Sequence, residues 1–152
     1  MNQNIKLQPL RIPTGWKISW NRFFEIDPSG IRTAEFREYF DQDMFFATYH
    51  SMEFGKQIGV DLAWGGKLED GNYILSIVHY TEIKIKESHR KVIKIRKEGQ
   101  TLNYRLEPNF LNDDANWENP VLSTRSRIEV AAKMDEIFYD VEMNRNSKYW
   151  KK

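Results

Sequence analysis

Residues 126–141 read Ser126-Arg127-Ile128-Glu129-Val130-Ala131-Ala132-Lys133-Met134-Asp135-Glu136-Ile137-Phe138-Tyr139-Asp140-Val141, and this stretch decides the fold. Ser126 and Glu129 have the spacing of a capping box, in which each side chain accepts from the other residue's backbone N–H at a helix start. Val130, Met134, Ile137, Phe138 and Val141 recur at i, i+4, i+7, i+8 and i+11, which makes one apolar stripe along a helix. Such a stripe needs a surface to bury against. A mostly antiparallel sheet with one apolar face supplies it, and the result is a two-layer α+β domain.

The segments before the helix are of the kind that build such a sheet. Trp16, Ile18 and Trp20 alternate with Lys17 and Ser19, the period-2 mark of a half-buried strand, so all three apolar side chains are expected inside. Phe23, Phe24 and Ile26 continue to a turn cluster, Asp27-Pro28-Ser29-Gly30. From Thr33 the spacing of Phe36, Tyr39 and Phe40, with charges between them, predicts one short helix in the N-terminal half. Val60, Leu62 and Trp64, the glycines at 65, 66 and 71, and Tyr73 to Tyr80 form a β-hairpin by residue choice. Ile83 and Ile85, then Ile93 and Ile95, alternate with basic residues and read as a second hairpin over 82–98 that turns at Glu87-Ser88-His89-Arg90. Thr101 to Leu106 reads as a further strand, and Asn112 to Pro120 as a polar loop. No repeat or linker divides the chain, so 1–143 is expected to be a single domain and 144–152 a loose basic tail.

Composition bounds the function. At 152 residues the chain can bury roughly 68–70% of its unfolded surface without staples. With no cysteine, disulfides, thiolate catalysis and zinc–cysteine sites are excluded. Lys plus Arg is 23 against 22 for Asp plus Glu, so no global field drives association with nucleic acid or membrane, and electrostatic function has to be local. The opening residues lack the basic start and apolar run of a secretory signal, and no stretch approaches the ~18 apolar residues of a membrane span. The expectation is a cytoplasmic protein.

Chemistry-bearing patterns are sparse. His50, His79 and His89 match no metal-binding spacing; His50 with Glu53 reads as a surface pair, His79 as a core or edge histidine and His89 as a hairpin tip. There is no Gly-x-Ser-x-Gly elbow for a nucleophile. Trp64-Gly65-Gly66-Lys67 lacks the order of a phosphate loop and reads as a hairpin connection. Acids such as Asp27, Asp41, Asp43, Asp61, Asp70 and Glu118 offer carboxylate pairs only as any acid-rich chain does. No catalytic residue, cofactor or metal is expected.

Charge is segregated along the second half. Residues 82–98 hold seven basic and three acidic side chains, a local +4, while 107–118 hold four acids and no base, a local −4. By alternation Lys84, Lys86, Lys94 and Arg96 share one face as a basic ridge. The ridge reads as the solvated side of an edge hairpin, as a protein-binding surface, or as a nucleic-acid groove, the last lacking the aromatics that stack bases. On the protein-binding reading the partner residues are Lys84, Lys86, Lys94, Arg96, Glu107, Asp113, Asp114 and Glu118, with Trp117 as an apolar anchor.

The framework Ile12-Pro13-Thr14-Gly15-Trp16 and Asn21-Arg22-Phe23-Phe24-Glu25-Ile26-Asp27-Pro28 resembles the opening of a group of small bacterial proteins of toxin-immunity loci. Trp64-Gly65, Gly71-Asn72-Tyr73-Ile74-Leu75 and Pro120-Val121-Leu122-Ser123-Thr124-Arg125-Ser126-Arg127 are similar in kind, and together these pieces touch about half the chain. Glu82 to Asn119 looks like an insert into that shorter pattern. The resemblance implies an immunity protein that sequesters a cognate toxin, as a monomer or weak homodimer, without nucleic acid, membrane or chemistry. It assigns no functional residues. The alternatives are a small hydrolase with an unrecognised site and a nucleic-acid-binding accessory domain acting through the hairpin 82–98.

Overall fold

The computed structural model describes residues 5–29, 35–51, 56–80, 90–98, 101–108, 115–116 and 120–150, with 90–98, 101–108 and 115–116 known by their backbone pairing. The strands are β1 (Trp16–Asn21), β2 (Phe45–Ser51), β3 (Lys56–Gly65), β4 (Asn72–Tyr80), β5 (Arg90–Glu98), β6 (Thr101–Pro108), β7 (Ala115–Asn116) and β8 (Pro120–Thr124). They are followed by a helix, α1 (Arg127–Met143), and a 3-10 turn, Lys148–Trp150. Two compact units result: 1–80 with 116–152, and 81–115.

In the first unit the sheet runs β1-β2-β3-β4-β7, with β8 also paired to β4. The β1–β2, β2–β3, β3–β4 and β4–β8 ladders are antiparallel. The α+β class read from the sequence is the observed one. One face of the sheet carries Phe45 and Ala47 from β2, Ile58, Val60, Leu62 and Trp64 from β3, and Tyr73, Leu75 and Ile77 from β4. All are buried in one cluster with Val130, Ala131, Met134, Ile137, Phe138 and Val141 of α1, so the stripe faces the sheet. Trp16 locks helix to sheet: its ring meets Phe138 edge-on at 4.9 Å, and its indole N–H donates to the Phe138 carbonyl at 3.0 Å.

Half of the expected capping box forms. Ser126 Oγ accepts from the Glu129 N–H at 3.2 Å, but the Ser126 N–H goes to Thr124 Oγ1 at 3.1 Å rather than to Glu129. Residues 144–150, read as a loose tail, are held on α1. Tyr149 is buried and donates to Glu136 Oε1 at 2.7 Å, Ser147 Oγ donates to Asp140, and the Trp150 indole donates to the Val141 carbonyl at 3.3 Å.

Two sequence expectations need correction. Trp16 is buried, but Ile18, in step with it opposite buried Ala47, is 45% exposed on edge strand β1, and Trp20 is 38% exposed because a register shift between Ile18 and Trp20 turns it to the other face, opposite Phe46. Of the short helix expected from Thr33, the described residues show Glu35 in α-helix and a 3-10 turn at Arg37–Tyr39. The turn placed at Glu87–Arg90 is wrong at Arg90, which begins β5 opposite Pro108 in a pairing with β6, and the expected first half of that hairpin, 82–86, lies outside the described residues.

Candidate functional site

In the unit 81–115 the described backbone is the β5–β6 hairpin and Ala115. Lys94 stands opposite Tyr104, Arg96 opposite Asn103, and Glu107 opposite Lys91. A register shift falls between Lys94 and Arg96, so the strict alternation used to align them does not run through β5. Lys84, Lys86, Asp113, Asp114, Trp117 and Glu118 lie outside the described residues. The boundaries of this unit coincide to within four residues with the charged stretch 82–119. β4 and β8 pair directly, with Tyr73 opposite Thr124 and Leu75 opposite Leu122, so the stretch departs from and returns to one sheet.

The first unit holds two further features. On the sheet face opposite α1, Trp20, Phe46, Asp61 and Ser76 stand opposite one another in a single row across β1 to β4. Trp20 stacks on Phe46 with ring centroids 5.0 Å apart. Asp61 alternates with buried Val60 and Leu62, which fixes its face. Burial, and secondarily the charge of Asp43, pushes its carboxyl up to about 6; burial and Asp61 together raise the Tyr80 hydroxyl. A carboxyl with a raised folded pKa contributes stability that is fully present below about pH 4 and is lost as pH rises through about 6. After discounting for solvent screening, Asp61→Asn is expected to be about 1–2 kcal/mol more stable than wild type at pH 8 and equal to it at pH 4. Urea titrations at the two pH values check this; a difference between the proteins that does not change with pH would mean the carboxyl is solvated.

The second feature is on the outer side of α1. Ile128, Tyr139 and Met143, off the buried stripe, are 61%, 64% and 59% exposed. Beside Tyr139 the segment Arg11-Ile12-Pro13 crosses the helix, held where the Arg11 N–H donates to Asp135 Oδ1 at 2.7 Å and the Gly15 N–H to Glu142 Oε1 at 2.9 Å. Between segment and helix lies a groove of about 460 Å³ lined by Arg11, Ile12, Pro13, Asp135, Glu136 and Tyr139. The sequence reading missed it. The sequence signal for the outer face of α1, though not for the groove, was the second apolar set, 128, 139 and 143, spaced by 11 and 4 on the side away from the stripe.

The histidines offer no centre. His50 is exposed on β2 opposite Gln57, His79 is buried on β4, and His89 and Glu53 lie outside the described residues. Among the described residues no three His, Asp or Glu side chains cluster as metal ligands, and no helix is long and apolar enough to cross a membrane. Trp64 and Gly65 end β3, and Gly66, at φ +88°, and Lys67 open the connection to β4. Compared with protein-family models, curated proteins and solved structures, the chain matches none.

Proposed function

We propose that this chain is an immunity-type binding protein that neutralises a protein toxin by forming a complex with it and performs no chemistry of its own. One observation carries the reading: the charge-segregated stretch forms a compact unit of its own, spliced between two strands that pair directly with each other. Patterned charge presented on a scaffold that closes without it suits partner selection, because complementary patches speed encounter and reject wrong partners. The toxin-immunity resemblance of the framework motifs agrees with this.

The test is co-expression with a toxin encoded beside this gene. Reversing Lys84, Lys86, Lys94 and Arg96 together, or neutralising Glu107, Asp113, Asp114 and Glu118 together, is expected to abolish rescue of growth in one of the two cases. Exposed ion pairs are worth only ~0–1 kcal/mol each, so both variants should keep the wild-type circular dichroism spectrum. Charge variants should act on association and its salt dependence, and Trp117→Ala on dissociation. If both charge variants rescue fully with unchanged binding kinetics, the stretch 82–119 is not the recognition surface.

A second reading, a small hydrolase, is favoured by Asp61, whose carboxyl at about 6 titrates where a general acid or base works near neutrality. Ester or phosphoester turnover that disappears in Asp61→Asn would put it first.

A further inference from the structure

The exposed stripe of α1 is the unusual part of an otherwise ordinary amphipathic helix. Three large apolar side chains, each at least 59% exposed, share the side turned away from the core, and the largest of them borders the groove. The groove wall is apolar at Ile12, Pro13 and the Tyr139 ring, which suits a single buried anchor side chain of the aromatic or long aliphatic kind.

The surrounding charge says what should carry that anchor. Within Arg127–Met143 there are five acids, Glu129, Asp135, Glu136, Asp140 and Glu142, against two bases, Arg127 and Lys133, a net −3. Both bases are already in ion pairs, Arg127 with Asp27 at 2.9 Å and Lys133 with Glu136 at 3.3 Å. Asp135 and Glu142 accept from the backbone N–H groups of Arg11 and Gly15, neutral donors that satisfy hydrogen bonds without cancelling charge. Arg11 is the cation on the opposite wall of the groove, and Lys133 and Lys148 both act on Glu136, so Asp135 and Glu129 are carboxylates that face no side-chain cation among the described ion pairs of α1.

We infer that the outer face of α1, with the groove formed against Arg11-Ile12-Pro13, is a docking surface for a basic protein, which inserts an apolar anchor beside Tyr139 and sets arginine or lysine side chains against Asp135 and Glu129. This surface lies in the first unit, apart from the charged stretch proposed above, and it rests on that proposal only in taking the same toxin as the partner. A bipolar binding protein of this kind, basic in one region and acidic in another, keeps a net charge near zero while complementing both signs on its target.

Two arms test it. In the first, blocked Arg-Trp-Arg and Glu-Trp-Glu peptides are titrated into the 15N-labelled full chain. Amide shifts at Ile12, Asp135 and Tyr139, with at least tenfold tighter binding of the basic peptide, support the surface whether or not a toxin is ever found. No shifts at these residues at millimolar peptide, or equal affinity for both peptides, overturn it. In the second arm the neighbouring toxin domain is the probe. Tyr139→Ala is expected to weaken binding at least tenfold through faster dissociation, and Asp135→Asn, which keeps the acceptor for the Arg11 N–H, to slow association and flatten its salt dependence. If toxin binding is within twofold of wild type in Tyr139→Ala but lost in one of the charge variants of 82–119, the surface is overturned and the immunity reading stands. If the toxin does not bind wild type while the basic peptide docks as described, the immunity reading fails and the surface stands.

Discussion

Phe138→Ala is expected to destabilise the protein by about 3–5 kcal/mol, the range for removing an aromatic ring from a closed core. The ring is fully buried, meets Trp16 at 4.9 Å and Phe45 at 5.8 Å, and sits where helix, edge strand and central sheet converge. The Trp16 indole bond to the Phe138 carbonyl survives the substitution because its acceptor is backbone, so the loss reports packing alone. Against a total stability of about 5–15 kcal/mol this is a large share, and at about 2–4 °C per kcal/mol the melting temperature should fall by roughly 10 °C. The neighbouring residue is the control. Tyr139 is 64% exposed, so Tyr139→Ala should stay within about 0.5 kcal/mol of wild type. Equal melting temperatures for the two variants would show that the buried and outward faces of α1 are misassigned.

That contrast also marks what one sequence can reveal. The face of α1 was legible because Val130, Met134, Ile137, Phe138 and Val141 hold helical spacing over several turns, and many consistent positions outvote local exceptions. β1 was not. Its register holds through Ile18, which the edge position leaves 45% exposed, but a single extra residue before Trp20 moves the rest of the strand to the other face, and nothing in Ile18-Ser19-Trp20 announces the shift. In the hairpin placed at 82–98 the error is at Arg90, which begins β5 instead of closing a turn, and the run of Ile alternating with Lys or Arg does not say that it pairs with 101–108. The better signal was Gly99-Gln100, because Glu98 and Thr101 are paired and two residues separate them, the spacing of a tight hairpin. For the candidate sites the limit is distance along the chain. The groove needs Arg11 to meet Asp135 across 124 residues, which no local pattern encodes. Asp61 was visible as an acid alternating with Val60 and Leu62, yet its raised pKa depends on how deeply the sheet buries it.

The glycines at the β3–β4 turn, read from the sequence as part of a hairpin, carry the other large expected effect. Gly71 closes the turn by donating its N–H to the Lys67 carbonyl at 2.7 Å, and the same carbonyl accepts from the Trp64 indole at 3.2 Å. The Gly71 carbonyl in turn accepts from Arg125, whose guanidinium lies 5.5 Å from the Trp64 ring centroid and also donates to the Pro28 carbonyl at 3.4 Å. The turn, the Trp64 ring, the strand-to-helix junction and the loop at Pro28 are therefore tied through one residue. A methyl group at position 71 would stand 2.5 Å from Lys67 O, 2.7 Å from Trp64 Nε1 and closer still to Gly65 O. Two of those three atoms are backbone, so no side-chain rotation relieves the contact. Gly71→Ala is expected to cost about 2–3 kcal/mol, the upper part of the range for forcing an extra methyl group into packed structure. Gly66→Ala separates steric crowding from backbone conformation, because its φ of +88° is disfavoured for any residue with a Cβ and should cost about 1–2 kcal/mol by that route. Arg125→Lys, which loses the forked donation to two carbonyls, should recover little when combined with Gly71→Ala, since the clash lies within the turn itself. Urea denaturation of the three variants checks the ranking, and a Gly71→Ala protein as stable as wild type would mean that the turn does not close through residue 71.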